Sequence, residues 1–171
     1  MPKLYKQAAV DYGMNHQFTV DGSPEIGDVQ IGGAWKTVLV AGLNAGGRGY
    51  YALDVTDPAN PVGLWEFCAD STLCAKNDPD LGLSYGNPQF GYWGNKWVVM
   101  VTSGYNNIPG TDGINSGDGK GYLYVIDVAN GTVLRKISTS TGSTGTPAGL
   151  AKLTAITSNP QTDPKITYVY G

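Results

Sequence analysis

An internal repeat runs through the chain. Residues 35–43, WKTVLVAGL, are matched by residues 96–102, KWVVMVT, and residues 49–55, GYYALDV, by residues 121–128, GYLYVIDV. Each copy places an apolar strand, a turn or loop, and a strand that begins aromatic and ends in Asp-Val. Each then turns into a last strand, LWEF at 64–67 and TVLRKI at 132–137. β-branched and aromatic residues bounded by turn formers read as strands. NAGGRG at 44–49, TDPANP at 56–61 and Asn130-Gly131 supply the turns. Asp54 and Asp127 occupy equivalent places roughly seventy residues apart, in the range of a propeller blade with long loops. A weaker strand is expected at 85–92, broken by Pro88, ahead of the second unit. A third unit begins with strands at 149–157 and 166–170.

Repeated meanders of this kind predict an all-β fold, a partial β-propeller of about two and a half four-stranded antiparallel blades. Residues 1–171 are expected to form part of a single propeller domain. Composition agrees: 25 Gly and 11 Tyr against 15% charged residues suit turns and strands, and no helix is expected. Residues 138–147, STSTGSTGTP, read as a flexible loop. A propeller closes only as a ring. The natural protein is therefore expected to be longer, and these residues to fold poorly as a monomer, because end blades without neighbours expose apolar strands.

A net charge of −3 without a Lys/Arg cluster excludes nucleic acid and anionic membrane surfaces as obvious partners. The sequence has no apolar run of membrane-spanning length and no signal-peptide pattern, so no direct membrane insertion is expected. Cys68 and Cys74 flank the loop CADSTLC. They are expected to close a small disulfide, which would imply an oxidising compartment; two free thiols are the alternative. A zinc site would need four ligands, and the chain has one His.

No residue is assigned a catalytic, cofactor-binding or metal-binding role. The loop 110–121, GTDGINSGDGKG, holds Asp112, Asn115 and Asp118, oxygen ligands that suit calcium in type but not in EF-hand spacing. A solvated hairpin loop explains them equally well. NAGGRG and GDGKG lack the phosphate-loop pattern and lie between strands. His16 lies near Asp11, Asp21, Glu25 and Asp28, but no G-x-S-x-G elbow accompanies it. Asp54 and Asp127 recur with the blade, which a catalytic residue has no reason to do. They read as carboxylates that accept backbone N–H groups in the following turn. Trp35, Trp65, Trp93 and Trp97 could form a carbohydrate platform, or pack between blades as large aromatics do. Asn130-Gly131-Thr132 matches a glycosylation sequon that a hairpin turn accounts for.

The ordered strings VDGSPEIGDV (20–29), WKTVLVAGLNAGGRGYYALDVTDPANP (35–61), LWEF, LGLSYGNPQF (81–90), KWVVMVTSGYNN (96–107), GYLYVIDVANGTVLRKI (121–137) and TYVYG (167–171) resemble the PilC/PilY family of type IV pilus tip-associated proteins. AGGRGYYALDVTDP is the most specific part. The resemblance implies a C-terminal modified β-propeller of a large secreted protein at the pilus tip and outer membrane of a bacterium. It implies roles in pilus assembly, adhesion, twitching motility and surface sensing. The implied partners are pilin or minor pilin subunits, other pilus machinery, and host or abiotic surfaces. The family often carries a D-x-D-x-D-G calcium loop before the strand matching TYVYG. Here that segment is SNPQTDPKI (158–166), with Asp163 as its one carboxylate, so no calcium site is carried over.

Within this reading the function is non-enzymatic, and the long loops 67–83 and 103–119 are expected to make the partner contacts. Two rivals differ in class. A quinone-dependent dehydrogenase propeller would need a recurrent A-x-D-x-x-T-G-K-x-x-W motif, and Lys136 or Ile137 stands where its Trp belongs. A carbohydrate-binding surface propeller would use the tryptophans.

Overall fold

The computed structural model describes residues 4–109, 117–159 and 162–171. It is all-β and builds an open stack of propeller-type blades. The first blade contains β1 (Glu25–Ile31), β2 (Ala34–Gly42), β3 (Gly49–Asp54) and β4 (Val62–Cys68), paired antiparallel in chain order. A two-residue strand, β5 (Lys76–Asn77), adds to β4 in parallel. The second blade contains β6 (Gln89–Trp93), β7 (Lys96–Thr102), β8 (Tyr122–Asp127) and β9 (Val133–Ser138), again an antiparallel meander. The third unit is the hairpin β10 (Thr154–Asn159) and β11 (Asp163–Tyr170). β11 joins β6 in parallel at Lys165 and Tyr92.

Register explains the burial. In β7, Val99 and Val101 face the first blade, beside Val38, Val40, Phe67 and Tyr124. Val98 and Met100 face the third unit, beside Val125 and Leu153. Successive side chains of a strand point to opposite faces, so a strand sandwiched between two blades reads as a continuous apolar run. KWVVMVT is such a run because both of its faces are covered. Each fully buried valine contributes about 1.5–3 kcal/mol relative to exposure. Phe67 and Tyr124 meet edge to face at 5.2 Å across the blade interface.

The blades converge at β1, β6 and β11, where a glycine on one strand receives a side chain from the next. A Cβ at Gly27 would lie 2.6 Å from Phe90 Cγ, and one at Gly91 would lie 2.4 Å from Ile166 Cδ1. Only glycine admits so close an approach without displacing the ring or the branched chain. Ile26 occupies the position in β1 that Phe90 has in β6, and it is exposed.

Several expectations need correction. β1 was not expected as a strand. Its run EIGDVQI carries a glycine and one fully buried side chain, Val29, so its periodicity is weak. The strand expected at 85–92 begins only at Gln89, after Pro88, as a residue without an N–H dictates. The strand expected at 149–157 begins at Thr154, and its partner begins at Asp163 rather than Ile166. The sheets are mixed, not purely antiparallel, because β5 and β11 add in parallel. Two short 3-10 turns, Leu4–Ala8 and Asn44–Gly46, stand where no helix was expected. Residues 139–148 are also tied down: Thr139 donates its N–H to Gly121 O, Gly121 donates to Thr141 O, and Ala148 donates to Gly119 O.

Candidate functional site

The strands place the connections at two opposite ends of the stack. One end carries the tight turns β1–β2, β6–β7 and β8–β9. The other carries the connection 69–88 and the described parts of the next one, 103–109 and 117–121, and these are zipped together. Gly82 donates its N–H to Ser103 O at 2.7 Å, and Leu83 donates to Tyr105 O at 2.7 Å. Asn107 is fully buried, and its Nδ2 donates to both Asp80 O and Lys120 O. The Asp118 N–H donates to the Asp80 carboxylate. Ser84 Oγ donates to Gly49 O at 2.6 Å and accepts the Leu43 N–H, which pins the first connection to the first blade. Arg48, itself buried, donates to Ile108 O from below.

Cys68 and Cys74 are joined in a disulfide, with their Cα atoms 5.9 Å apart. The pair closes the loop at the end of β4, as expected from its spacing. Past that loop, Asp78 and Asp80 grip the ammonium of Lys136, at 2.8 Å and 2.5 Å, across the interface from β9. Lys136 also lies over the Tyr122 ring, 4.3 Å from its centroid. Burial works against the charge of Lys136, but hydrogen bonds to Asp78 and Asp80 outweigh it and raise its pKa. Asp118 shows the mirror effect. Burial opposes its ionisation, yet the Lys120 N–H, the Tyr122 hydroxyl and the Lys120 ammonium hold its carboxyl at about 2. Burial pushes the Tyr124 phenol up strongly, and the charges of Asp78 and Asp80 add to that. The result is a half-buried network of fixed charges, offering a shaped polar surface rather than a reactive group.

The other residues singled out from sequence are engaged in structure. Asp54 accepts the Thr56 N–H and hydroxyl, and Asp127 accepts the Ala129 N–H, the turn role expected of both. Sequence reasoning missed their second partner. Lys36 pairs with Asp54 at 3.0 Å and Lys96 with Asp127 at 2.6 Å, diagonal pairs in equivalent registers. The repeat itself carried that signal, since a lysine stands two residues before the aligned Val38 and Val98. Hydrogen bonds from the Thr56 hydroxyl and N–H, then the Lys36 ammonium, lower the Asp54 carboxyl to about 2.

Trp65 is the tryptophan that locks the blades. It is buried, donates Nε1–H to Val128 O at 2.8 Å, and packs where a Cβ of Gly131 would sit. Gly131 has φ +74, so the turn requires glycine for its backbone as well as for this contact. Trp97 is half-buried, while Trp35 and Trp93 are exposed. Asn130 Oδ1 accepts the Thr132 N–H within the same turn.

His16 is exposed and contacts the rings of Tyr12 and Phe18. Its acidic neighbours are committed elsewhere: Asp11 to Asn15, Glu25 to Asn87 and Asp28 to Thr37. Asp112 and Asn115 lie outside the described residues, and Asp118 is occupied as above. In the segment equivalent to the family's calcium loop, the one carboxylate, Asp163, accepts the Lys165 N–H at the start of β11. Among the described residues, no group of three or more His, Cys, Asp or Glu could hold a metal ion.

A family profile described as the PilY1 beta-propeller domain matches residues 1–171. The type IV pilus biogenesis factor PilY1 of Pseudomonas aeruginosa is 44% identical over 151 residues, covering 87% of this chain and 12% of that protein. A PilY1 homolog of Xylella fastidiosa is 34% identical over 131 residues, covering 74% of this chain and 8% of that protein. The crystal structure of the Pseudomonas aeruginosa PilY1 C-terminal domain superposes with a TM-score of 0.71 at 40% identity, over 91% of this chain and 28% of that one. The chain thus spans about an eighth of the first of these relatives.

Proposed function

The chain belongs to the PilY1 β-propeller family, and from that premise we propose that it is a non-enzymatic interaction part of a protein serving type IV pilus biogenesis. Residues 1–171 form part of a single propeller domain within that larger protein. It acts outside the cell, at the pilus tip and outer membrane, in tip adhesion and twitching motility. Its partners are pilin or minor pilin subunits and other pilus machinery, and its adhesive targets are host or abiotic surfaces. The observation that supports an interaction role most is the zipped pair of long connections. They turn irregular backbone into a rigid, hydrogen-bonded surface on one end of the stack, and loops on a rigid scaffold are where binding residues gather. The printed functions of the relatives, as pilus biogenesis factors, support the same direction. Among the described residues no helix is long and apolar enough to cross a membrane.

The test alters that surface without touching its scaffold. Leu73 is exposed at the disulfide loop, and Lys76 is an exposed cation just beyond it. The full-length parent protein carrying Leu73→Asp and Lys76→Glu would replace the normal copy in a piliated bacterium. Surface pili and twitching zones should shrink while the amount of exported protein stays the same. Normal piliation and twitching at normal protein level would remove these loops from the contact surface.

A further inference from the structure

At the end of the stack opposite the long loops, a cleft of about 290 Å³ opens between the first and second blades. The β1–β2 turn supplies Gln30, Gly32 and Gly33, and the β6–β7 hairpin supplies Tyr92, Asn95 and Trp97. Lys96 and Asp127 are the charged side chains among the described residues that line it, and they neutralise each other at 2.6 Å. Tyr92 and Trp97 of the lining meet edge to face at 5.5 Å, and Trp97 meets Trp35, which lies beside the cleft, edge to face at 5.7 Å. Trp35 remains 58% exposed.

We propose that this cleft binds a neutral sugar ring of a glycan. A pyranose has an apolar C–H face and a belt of hydroxyls. The exposed ring of Trp35, propped edge to face by Trp97 and paired across the β1–β2 hairpin with Gln30, offers the first an apolar platform of the kind that carries recognition where one side of the ligand stays wet. The second needs groups that donate and accept side by side, which Asn and Gln amides do. The exposed amides of Gln30 and Asn95 have no hydrogen-bond partner among the described residues. Gly32 and Gly33, at φ +62 and +83, have no atom within 4 Å of where a Cβ would stand, so the rim is open to an entering ring. The internal Lys96–Asp127 pair leaves no net charge for an acidic sugar to meet. The volume sits at the small end of ligand pockets, which suits one ring. A proline-rich peptide, the other ligand of aromatic grooves, rises about 3.1 Å per residue and needs a longer channel.

Two probes decide the matter. The full chain is applied to an array of neutral gluco-, galacto- and manno-configured oligosaccharides, with sialylated and uronate glycans and a polyproline peptide alongside. Binding to at least one neutral glycan is expected, with a change in tryptophan fluorescence on titration in solution. Asn95→Ala and Gln30→Ala, both at exposed positions, should each weaken that binding by about tenfold, with the circular dichroism spectrum unchanged. Capture of no neutral glycan would overturn the proposal. So would preference for the acidic glycans or the polyproline peptide, or affinity unchanged in both variants.

Discussion

Gly27 has the face of an aromatic ring where a side chain would begin, and that one vacancy lets two blades close against each other. A methyl there would sit 2.6 Å from Phe90 Cγ, and the ring has Gly27 on one side and its own sheet on the other. Gly27→Ala is expected to destabilise the chain by about 1–3 kcal/mol, the usual cost of overpacking a filled interface. Adding Phe90→Val should restore part of the loss, since the smaller side chain vacates the space. Equilibrium urea denaturation of the two single variants and the double variant measures the coupling, and additive effects would mean that the two residues do not meet. Trp65 works at the same scale by a different device. Its ring fills the space left by Gly131, and its one donor is spent on Val128 O, so no polar group is stranded at the interface.

Elements matter where a connection must hold its shape without a strand to hold it. The loop after β4 has the Cys68–Cys74 bond, and directly beyond it Asp78 and Asp80 reach Lys136 on the other blade. The bond shortens the free path between β4 and those carboxylates, so it sets the position of an ion bridge that it does not touch. Cys68→Ser with Cys74→Ser is expected to lower stability by about 2 kcal/mol, the chain-entropy value for so short a loop. Reductant should bring the parent chain down to the level of the double variant and leave that variant unmoved. A parent chain insensitive to reductant would mean that the bond constrains nothing the fold needs.

The whole molecule is set by how its charges and phenols are held. Asp54 and Asp118 have folded-state values near 2, below the 3.8 of a free carboxyl. They stabilise the fold above about pH 4, and that contribution is lost as pH falls toward about 2. At the alkaline end the sign is reversed in charge but not in outcome. Burial raises the Tyr50 phenol to about 12. The unfolded chain therefore ionises first, and stability falls as pH rises from about 10 to about 12. Lys136, raised by Asp78 and Asp80, acts in the same direction. Thermal melts across this range should give a plateau between the two limbs. Asp54→Asn should flatten the acid limb, and an acid limb of unchanged steepness would show that Asp54 is not held as described.

The sequence by itself determined the repeat, the strands of high apolar content, the turn role of Asp54 and Asp127, and the cysteine pair, because each is written in neighbouring residues. Period, turn chemistry and short spacing are local properties. The family was legible for the same reason, in strings such as AGGRGYYALDVTDP. β1 was not legible, because a strand that needs Gly27 to admit Phe90 sacrifices the apolar alternation by which strands are recognised. Only the tertiary structure decided that Trp65 meets Val128, that Lys136 bridges Asp78 and Asp80, and that Tyr92, Trp97 and Trp35 meet beside free amides. Trp65 and Val128, Lys136 and the two aspartates, and Trp35 and Trp97 are each separated in sequence by about a blade. Which face of one sheet meets which face of the next depends on twist and packing summed over both, and no local pattern contains that sum.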